Sequence, residues 1–322
     1  MSGQANLQAL VDQNYLLDVT ETGSLRLFFQ PADHFYHRNF EALAQAAEYL
    51  SQNTTLPYYR MVRTKKGGYT LDVNGTPSVL MVFPGERQIT DDHLGAMLAE
   101  FHISSQGADI RNFPESPLNS RIDGLSSRMD ALGAKHREIL KKKEPTTFER
   151  GFLGNFLYFS GCAENAIQYL VDTSLDFPNP EPMALSHYRF SGVDSLIPEN
   201  PALWVADDRS RDLAEWLRLL AWNGEAPAQN TAAEAFLDDY ENRFPLSRQT
   251  AANLFGKLLF PLPYVECCER YFFSQGREDR HLLNDVMLLN EDRAERQERM
   301  LYFLSRRYSA IKVPEWLART SA

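Results

Sequence analysis

The spacing of apolar positions changes texture near residue 88. Before that point short β-prone runs dominate. Residues 14–20 and 24–29 flank Glu21-Thr22-Gly23 and predict a hairpin. Residues 40–51 carry alanine, leucine and glutamate at helical spacing, and 58–64, 68–73 and 78–83 predict three more strands. Lys66-Gly67-Gly68 and Asn74-Gly75 separate those strands. Asn-Gly readily takes the positive φ angles that a tight hairpin turn needs. Pro84-Gly85 closes the run as a hinge.

Beyond residue 88 the pattern is helical. Leu94, Met97, Leu98 and Phe101 recur at i, i+3, i+4 and i+7, one apolar stripe, with Thr90 or Asp91 as its N-cap. Further helices are predicted over 120–143, 148–172, 211–222, 232–242, 248–258, 264–274 and 281–308. Pro178, Pro180 and Pro182 break the chain before a stretch of different character, 185–214. There a loop and a short buried strand ending in Asp207 are expected. The mixed charges of 290–299 suit i,i+4 pairing on an exposed helix face. These elements predict an α+β chain, β-rich over 1–88 and helical over 89–322.

Composition narrows the classes. With 322 residues, 43% of them hydrophobic, the chain can bury one large core or two linked ones. A formal charge of −10 without a long basic block argues against nucleic-acid binding, and Lys141-Lys142-Lys143 reads as a solvated helix end. No apolar run approaches the roughly 18 residues that cross a bilayer. Residues 1–13 lack the pattern of a signal peptide, so cytosolic synthesis is expected. Cys162, Cys267 and Cys268 have no metal-ligand spacing and read as buried thiols.

The candidate chemistry sits in Leu185-Ser186-His187-Tyr188-Arg189-Phe190-Ser191-Gly192-Val193-Asp194, followed by Trp204-Val205-Ala206-Asp207-Asp208 and Asp212-Leu213-Ala214. This stretch resembles the catalytic region of the aminoglycoside-phosphotransferase branch of the protein-kinase-like superfamily, whose loop reads His-Gly-Asp-x-x-x-x-Asn. Residues 94–102 resemble the first C-lobe helix of the same branch. The resemblance implies a bilobal fold, with a small antiparallel sheet and one helix in the N-lobe and a larger, mostly helical C-lobe. Placed on that motif, His187 matches the histidine, Tyr188 the glycine, Arg189 the catalytic aspartate and Asp194 the asparagine. Asp207, or secondarily Asp208, takes the metal aspartate's place. Alternatively Asp208 pairs with Arg209 or Arg211, and Ser210 or Asp212 caps the next helix. Arg26 falls where the nucleotide-binding lysine belongs, or is simply an outward-facing strand residue. Its partner would be Glu41 or Glu48.

Guanidinium stays protonated at neutral pH, so Arg189 cannot serve as a base. Loss of a positioned base costs about 10²–10⁴ in rate. The phosphate turn Thr20-Glu21-Thr22-Gly23 is poor in glycine and acidic where an anion should approach. Asp194 and Asp207 nonetheless keep oxygen ligands suited to a hard cation such as Mg²⁺.

Two further strings are more specific. Arg209-Ser210-Arg211-Asp212-Leu213-Ala214-Glu215-Trp216-Leu217-Arg218 and His34-Phe35-Tyr36-His37-Arg38-Asn39-Phe40 resemble the CotS/YutH-like spore-coat proteins of endospore-forming bacteria. That resemblance implies a pseudokinase-like structural or assembly component of the spore coat. It would be made in the mother-cell cytoplasm, partnered by other coat proteins, and need no cofactor. The alternatives are a working phosphotransferase, for a small compound or a coat protein, with Mg-ATP on Asp194 and Asp207, and a nucleotide-binding switch without transfer. Zinc on His34 and His37 lacks further ligands. Hydrolysis through Ser186 and His187 fails because strand neighbours point to opposite faces.

Overall fold

The computed structural model describes residues 9–15, 26–83, 93–111, 113, 122–179, 181–196, 199–223, 228–274, 287 and 290–319. In chain order the elements are β1 (Arg26–Pro31), α1 (Phe40–Asn53), β2 (Arg60–Met61), β3 (Thr70–Val73), β4 (Thr76–Phe83), α2 (Leu94–Ser105), α3 (Ile122–Ile139) and α4 (Thr147–Asp176). They continue with β5 (Ala184–His187), α5 (Val193–Leu196), β6 (Trp204–Asp207), α6 (Ser210–Asn223), α7 (Ala228–Glu241), α8 (Arg248–Leu259), α9 (Leu262–Phe273), α10 (Asn290–Arg307) and α11 (Glu315–Arg319). The chain forms two compact units. The first comprises Met1–Ser116, Pro182–Arg209 and Phe236–Pro245, and the second Pro117–Glu181, Ser210–Ala235 and Leu246–Ala322.

In the first unit β4 is the organising strand. Val79, Leu80, Met81 and Val82 have no exposed surface, as a continuous apolar run covered on both faces should. β1 pairs with it antiparallel from Arg26↔Phe83 to Pro31↔Ser78, and β2 and β3 also pair with it antiparallel. Asn74 (φ 54°) and Gly75 (φ 83°) turn β3 into β4, as that dipeptide predicted. Of the residues expected in a first strand, Asn14 is helical and Tyr15 forms an antiparallel bridge to Thr64, and the others lie outside the described residues. Val11 and Tyr15, one helical turn apart, pack on Leu80 and Val82 beside Leu27 and Phe29, which favours the helix there. Residues 16–25 and the hinge Pro84-Gly85 lie outside the described residues, as do Thr90 and Asp91. The N-cap of α2 is His93, without a side-chain hydrogen bond.

The strand expected over 58–64 shrinks to β2 because the Tyr59 amide bonds outside the sheet, to the carbonyl of Glu199 at 2.7 Å. Asn39 caps α1, its Oδ1 accepting from the Ala42 amide at 3.1 Å. α2 meets the C-terminal part of α7 at Gly95, where a Cβ would lie 2.1 Å from the Phe236 carbonyl oxygen. Further along, His102 Nδ1 and Tyr240 Oη are 2.9 Å apart, both buried.

The second unit is helical. α4 opens with a capping box between Thr146 and Glu149. Lys142 Nζ donates to Glu149 at 2.8 Å, so the lysine run lies past the end of α3 rather than within it. Arg128 and Glu269 join α3 to α9 through bonds of 2.7 and 2.6 Å. Cys162, Cys267 and Cys268 are free and buried, in α4 and α9. α10 is described from Asn290, and of the expected 281–289 only Met287, itself helical, is described. Its Glu295 and Arg299 are 3.7 Å apart, the i,i+4 pairing its charges predicted. Among the described residues no helix is long and apolar enough to cross a membrane.

Candidate functional site

The site is carried by the β5–β6 hairpin of the first unit. Its strands pair antiparallel, with Ala184 opposite Asp207 and His187 opposite Trp204, and every residue of both is buried. A strand this short is held by burial and by polar anchors at its ends rather than by its own ladder. His187 ends β5, and the chain then runs through Tyr188, Arg189 and Phe190 to Gly192, whose φ of 92° turns it into α5.

Glu199 provides the anchor, and nothing in the motif reading singled it out. It is 1% exposed. Its Oε2 lies 3.0 Å from His187 Nε2 and accepts from Trp204 Nε1 at 2.9 Å. Its Oε1 is buried with no partner among the described residues. The Glu199 amide donates to the Pro57 carbonyl, and its own carbonyl accepts from Tyr59, both at 2.7 Å. The one sequence cue was an acid between Pro198 and Pro201 in an otherwise apolar stretch.

Tyr188 stacks on Tyr36, ring centroids 3.2 Å apart and planes inclined by 25°. Both tyrosine amides bond the approach to β6, Tyr36 to Ala202 at 3.2 Å and Tyr188 to Leu203 at 2.7 Å. Arg189 folds back on the same residue. Its Nη1 donates to the Tyr188 carbonyl at 2.9 Å, and its Cζ is 5.0 Å from the Tyr188 ring centroid. The residue placed at the motif's glycine is thus packed on Tyr36.

The two candidate metal aspartates differ in setting. Asp207, at the end of β6, is 3% exposed, and its Oδ1 accepts the Asp208 amide at 2.8 Å. Asp194 is exposed in the first turn of α5. Both supply the carboxylate oxygens a hard cation prefers. Among the described residues no group of three or more His, Cys, Asp or Glu is arranged to hold a metal.

Arg26 begins β1 opposite Phe83, so it shares a sheet face with Phe83 and Phe28. Tyr59 packs edge-on against both rings, at 4.8 Å from Phe28 and 5.5 Å from Phe83. Burial raises the Tyr59 hydroxyl pKa, and the Arg26 charge partly offsets that. The glutamates expected beside Arg26 are engaged elsewhere. Glu41 takes two contacts from Arg63 Nη2, at 2.7 and 2.8 Å, and Glu48 accepts from Gln52 at 3.4 Å.

Arg209 is buried and turned toward 244–245, its Cζ 3.9 Å over the Phe244 ring and its Nη2 donating to the Pro245 carbonyl at 2.9 Å. His34 and His37 have unlike surroundings. His34 is exposed near Asp33, whereas His37 is buried 4.5 Å from Phe113 with neither ring nitrogen bonded.

These elements define a kinase-like fold of the aminoglycoside-phosphotransferase type. The chain is similar to the crystal structure of an aminoglycoside phosphotransferase from Alicyclobacillus acidocaldarius, with a TM-score of 0.66 and 13% identity over 88% of this chain and 87% of that one. It is also similar to spectinomycin phosphotransferase in complex with ADP and spectinomycin, with a TM-score of 0.52 and 11% identity over 93% and 97% of the two chains. At such identities the likeness concerns the fold alone. The family model described as "Spore coat putative kinase YutH" matches residues 12–304. The chain is 30% identical over 308 residues to the endospore coat-associated protein YutH of Bacillus subtilis (strain 168), across 91% of this chain and 89% of that one. It belongs to this spore-coat YutH family.

Proposed function

We propose that this chain is a non-catalytic member of its kinase-like class, a structural or assembly component of the endospore coat. It is made in the mother-cell cytoplasm and works through contacts with other coat proteins. Residues 1–88 and 89–322 then correspond to the N- and C-lobes of the fold. The observation that carries the reading is the closed loop, with Tyr188 stacked on Tyr36 and Arg189 folded back where the base belongs. Phosphoryl transfer depends on a carboxylate that orients or deprotonates the acceptor and on space for that acceptor. Arg189 supplies a fixed positive charge instead, and Tyr188 is already packed.

The test is phosphoryl transfer from Mg-ATP, to water and to coat proteins, by the wild type and by Arg189→Asp. Neither should transfer, because restoring a carboxylate leaves the Tyr188 stack in place. Transfer by the wild type that Asp207→Asn abolishes would end the proposal.

One observation favours a second reading, nucleotide binding without transfer. Asp207 keeps a buried carboxylate at the strand end, and Arg26 keeps a positive charge on the aromatic face of the sheet. Saturable thermal stabilisation by Mg-ADP, lost in Asp207→Asn, would select this reading.

A further inference from the structure

We propose that Glu199 is the latch that keeps the catalytic-type loop shut. The inference rests on the non-catalytic reading above and adds what holds the loop in that state. A carboxylate with 1% exposure is strongly unfavourable unless donors compensate its lost hydration. Here the compensation comes from both strands of the hairpin at once. His187 belongs to β5 and Trp204 to β6, and the two are direct register partners. One oxygen, Oε2, is within bonding distance of both side chains, at 3.0 and 2.9 Å. It clamps the hairpin at the end from which residues 188–203 depart and return.

The main chain of the same residue reaches the other side. Glu199 bonds Pro57 through its amide and Tyr59 through its carbonyl, and Tyr58 pairs with it as a parallel bridge. That segment leads directly into β2, and Tyr59 packs on the Phe28 and Phe83 rings. One residue therefore ties the loop hairpin to the β4-centred sheet. The Tyr36–Tyr188 stack rests on the strip just after it, because the two tyrosine amides bond Ala202 and Leu203. Displacing residues 199–203 would take away both backbone supports of the stack.

The unpartnered Oε1 is the feature that ordinary packing does not explain. An apolar side chain of similar size would bury no unsatisfied oxygen, at the cost of leaving Trp204 Nε1 without this acceptor. An ionised carboxylate is a stronger acceptor for imidazole and indole N–H groups than a neutral amide. The acid is thus used for its grip on the two donors.

Hydrogen exchange followed by mass spectrometry on the full chain tests the latch. Glu199→Ala should speed amide exchange in residues 57–61 and 185–205 by roughly 10- to 100-fold, the range for buried donors left unpaired. Exchange in α3 should stay unchanged. Glu199→Gln and Trp204→Phe each weaken the clamp while keeping its shape, and should raise exchange in both segments by up to about tenfold. These two variants keep the test decisive should Glu199→Ala fold poorly. Unchanged exchange in both segments, or a rise shared equally by α3 and α4, would overturn the latch. The readout is independent of phosphoryl transfer. Transfer by the wild type would refute the non-catalytic reading whatever the exchange shows, and failure of the exchange prediction would refute the latch alone.

Discussion

Replacing Gly95 with alanine sets two effects of opposite sign against each other. In a helix alanine is favoured over glycine by up to about 1 kcal/mol, and Gly95 lies in the first turn of α2. Against that gain, a Cβ on Gly95 would lie 2.1 Å from the Phe236 carbonyl oxygen and 2.8 Å from the Tyr240 amide nitrogen. Both are main-chain atoms of α7, which cannot swing aside as a flexible side chain would. Relieving the overlap requires α2 and α7 to part locally by about 1.4 Å, since unstrained carbon contacts begin near 3.5 Å. That displacement would stretch the 2.9 Å contact between His102 and Tyr240 beyond bonding range. Neither residue has exposed surface, so water cannot replace the lost partner. Losing that bond costs about 1 kcal/mol, and overpacking costs about 1–3 kcal/mol more. The clash wins, and Gly95→Ala should destabilise by about 1–3 kcal/mol. Gly154, in α4, is the control, because a Cβ there meets nothing within 4 Å. Gly154→Ala should stabilise by up to about 1 kcal/mol. Urea unfolding and thermal melts of both variants measure this, at roughly 2–4 °C per kcal/mol in Tm. A Gly95→Ala protein as stable as the wild type would refute the close-approach argument.

Three other perturbations follow from the same geometry. Removing Arg128 strands the carboxylate of Glu269, whose partner side chain is only 14% exposed, so Arg128→Ala should cost about 1–3 kcal/mol in urea unfolding. A neutral result would show that the pair joins α3 to α9 in name only. Burial lowers the His37 pKa from 6.5 to about 4. Between those values the unfolded chain binds a proton that the folded chain refuses, so stability should fall as pH drops from 6.5 toward 4. His37→Phe should flatten that part of the Tm–pH curve, and parallel curves would contradict the assignment. Burial also pushes the Cys162 and Cys267 thiols up to about 11 and Cys268 well above its ordinary value. The native protein at neutral pH should therefore react slowly with a thiol-titrating disulfide, and urea should release all three thiols. A fast-reacting thiol in the folded state would refute this.

What was legible in the chain was whatever local pattern determines. The apolar run 78–83 announced a strand, and Asn74-Gly75 announced the turn before it. The helical stripe of α2 followed from spacing, and the aspartate-terminated strand β6 from the motif layout. The misreadings occur where a distant contact overrides propensity. Asn14 ends a helix rather than opening a strand because Val11 and Tyr15 cover Leu80 and Val82, which no local window contains. β2 is short because Tyr59 gives its amide to Glu199. Arg63, not Arg26, holds Glu41, and choosing between two surface arginines needs the register of the sheet.

The loop itself shows the same division. That Arg189 cannot be a base follows from the chemistry of guanidinium, and the residue's position in the motif was visible without a structure. The meaning of Tyr188 was not. A tyrosine in place of glycine could have left an open site with one bulky neighbour, and a nearby carboxylate could then have stood in for the base. Its ring is instead packed on Tyr36, a residue from the string that separately resembled the spore-coat proteins. The amides of both tyrosines are bound to consecutive residues just past Glu199. Two strings that local sequence treats as unrelated are each other's packing surface.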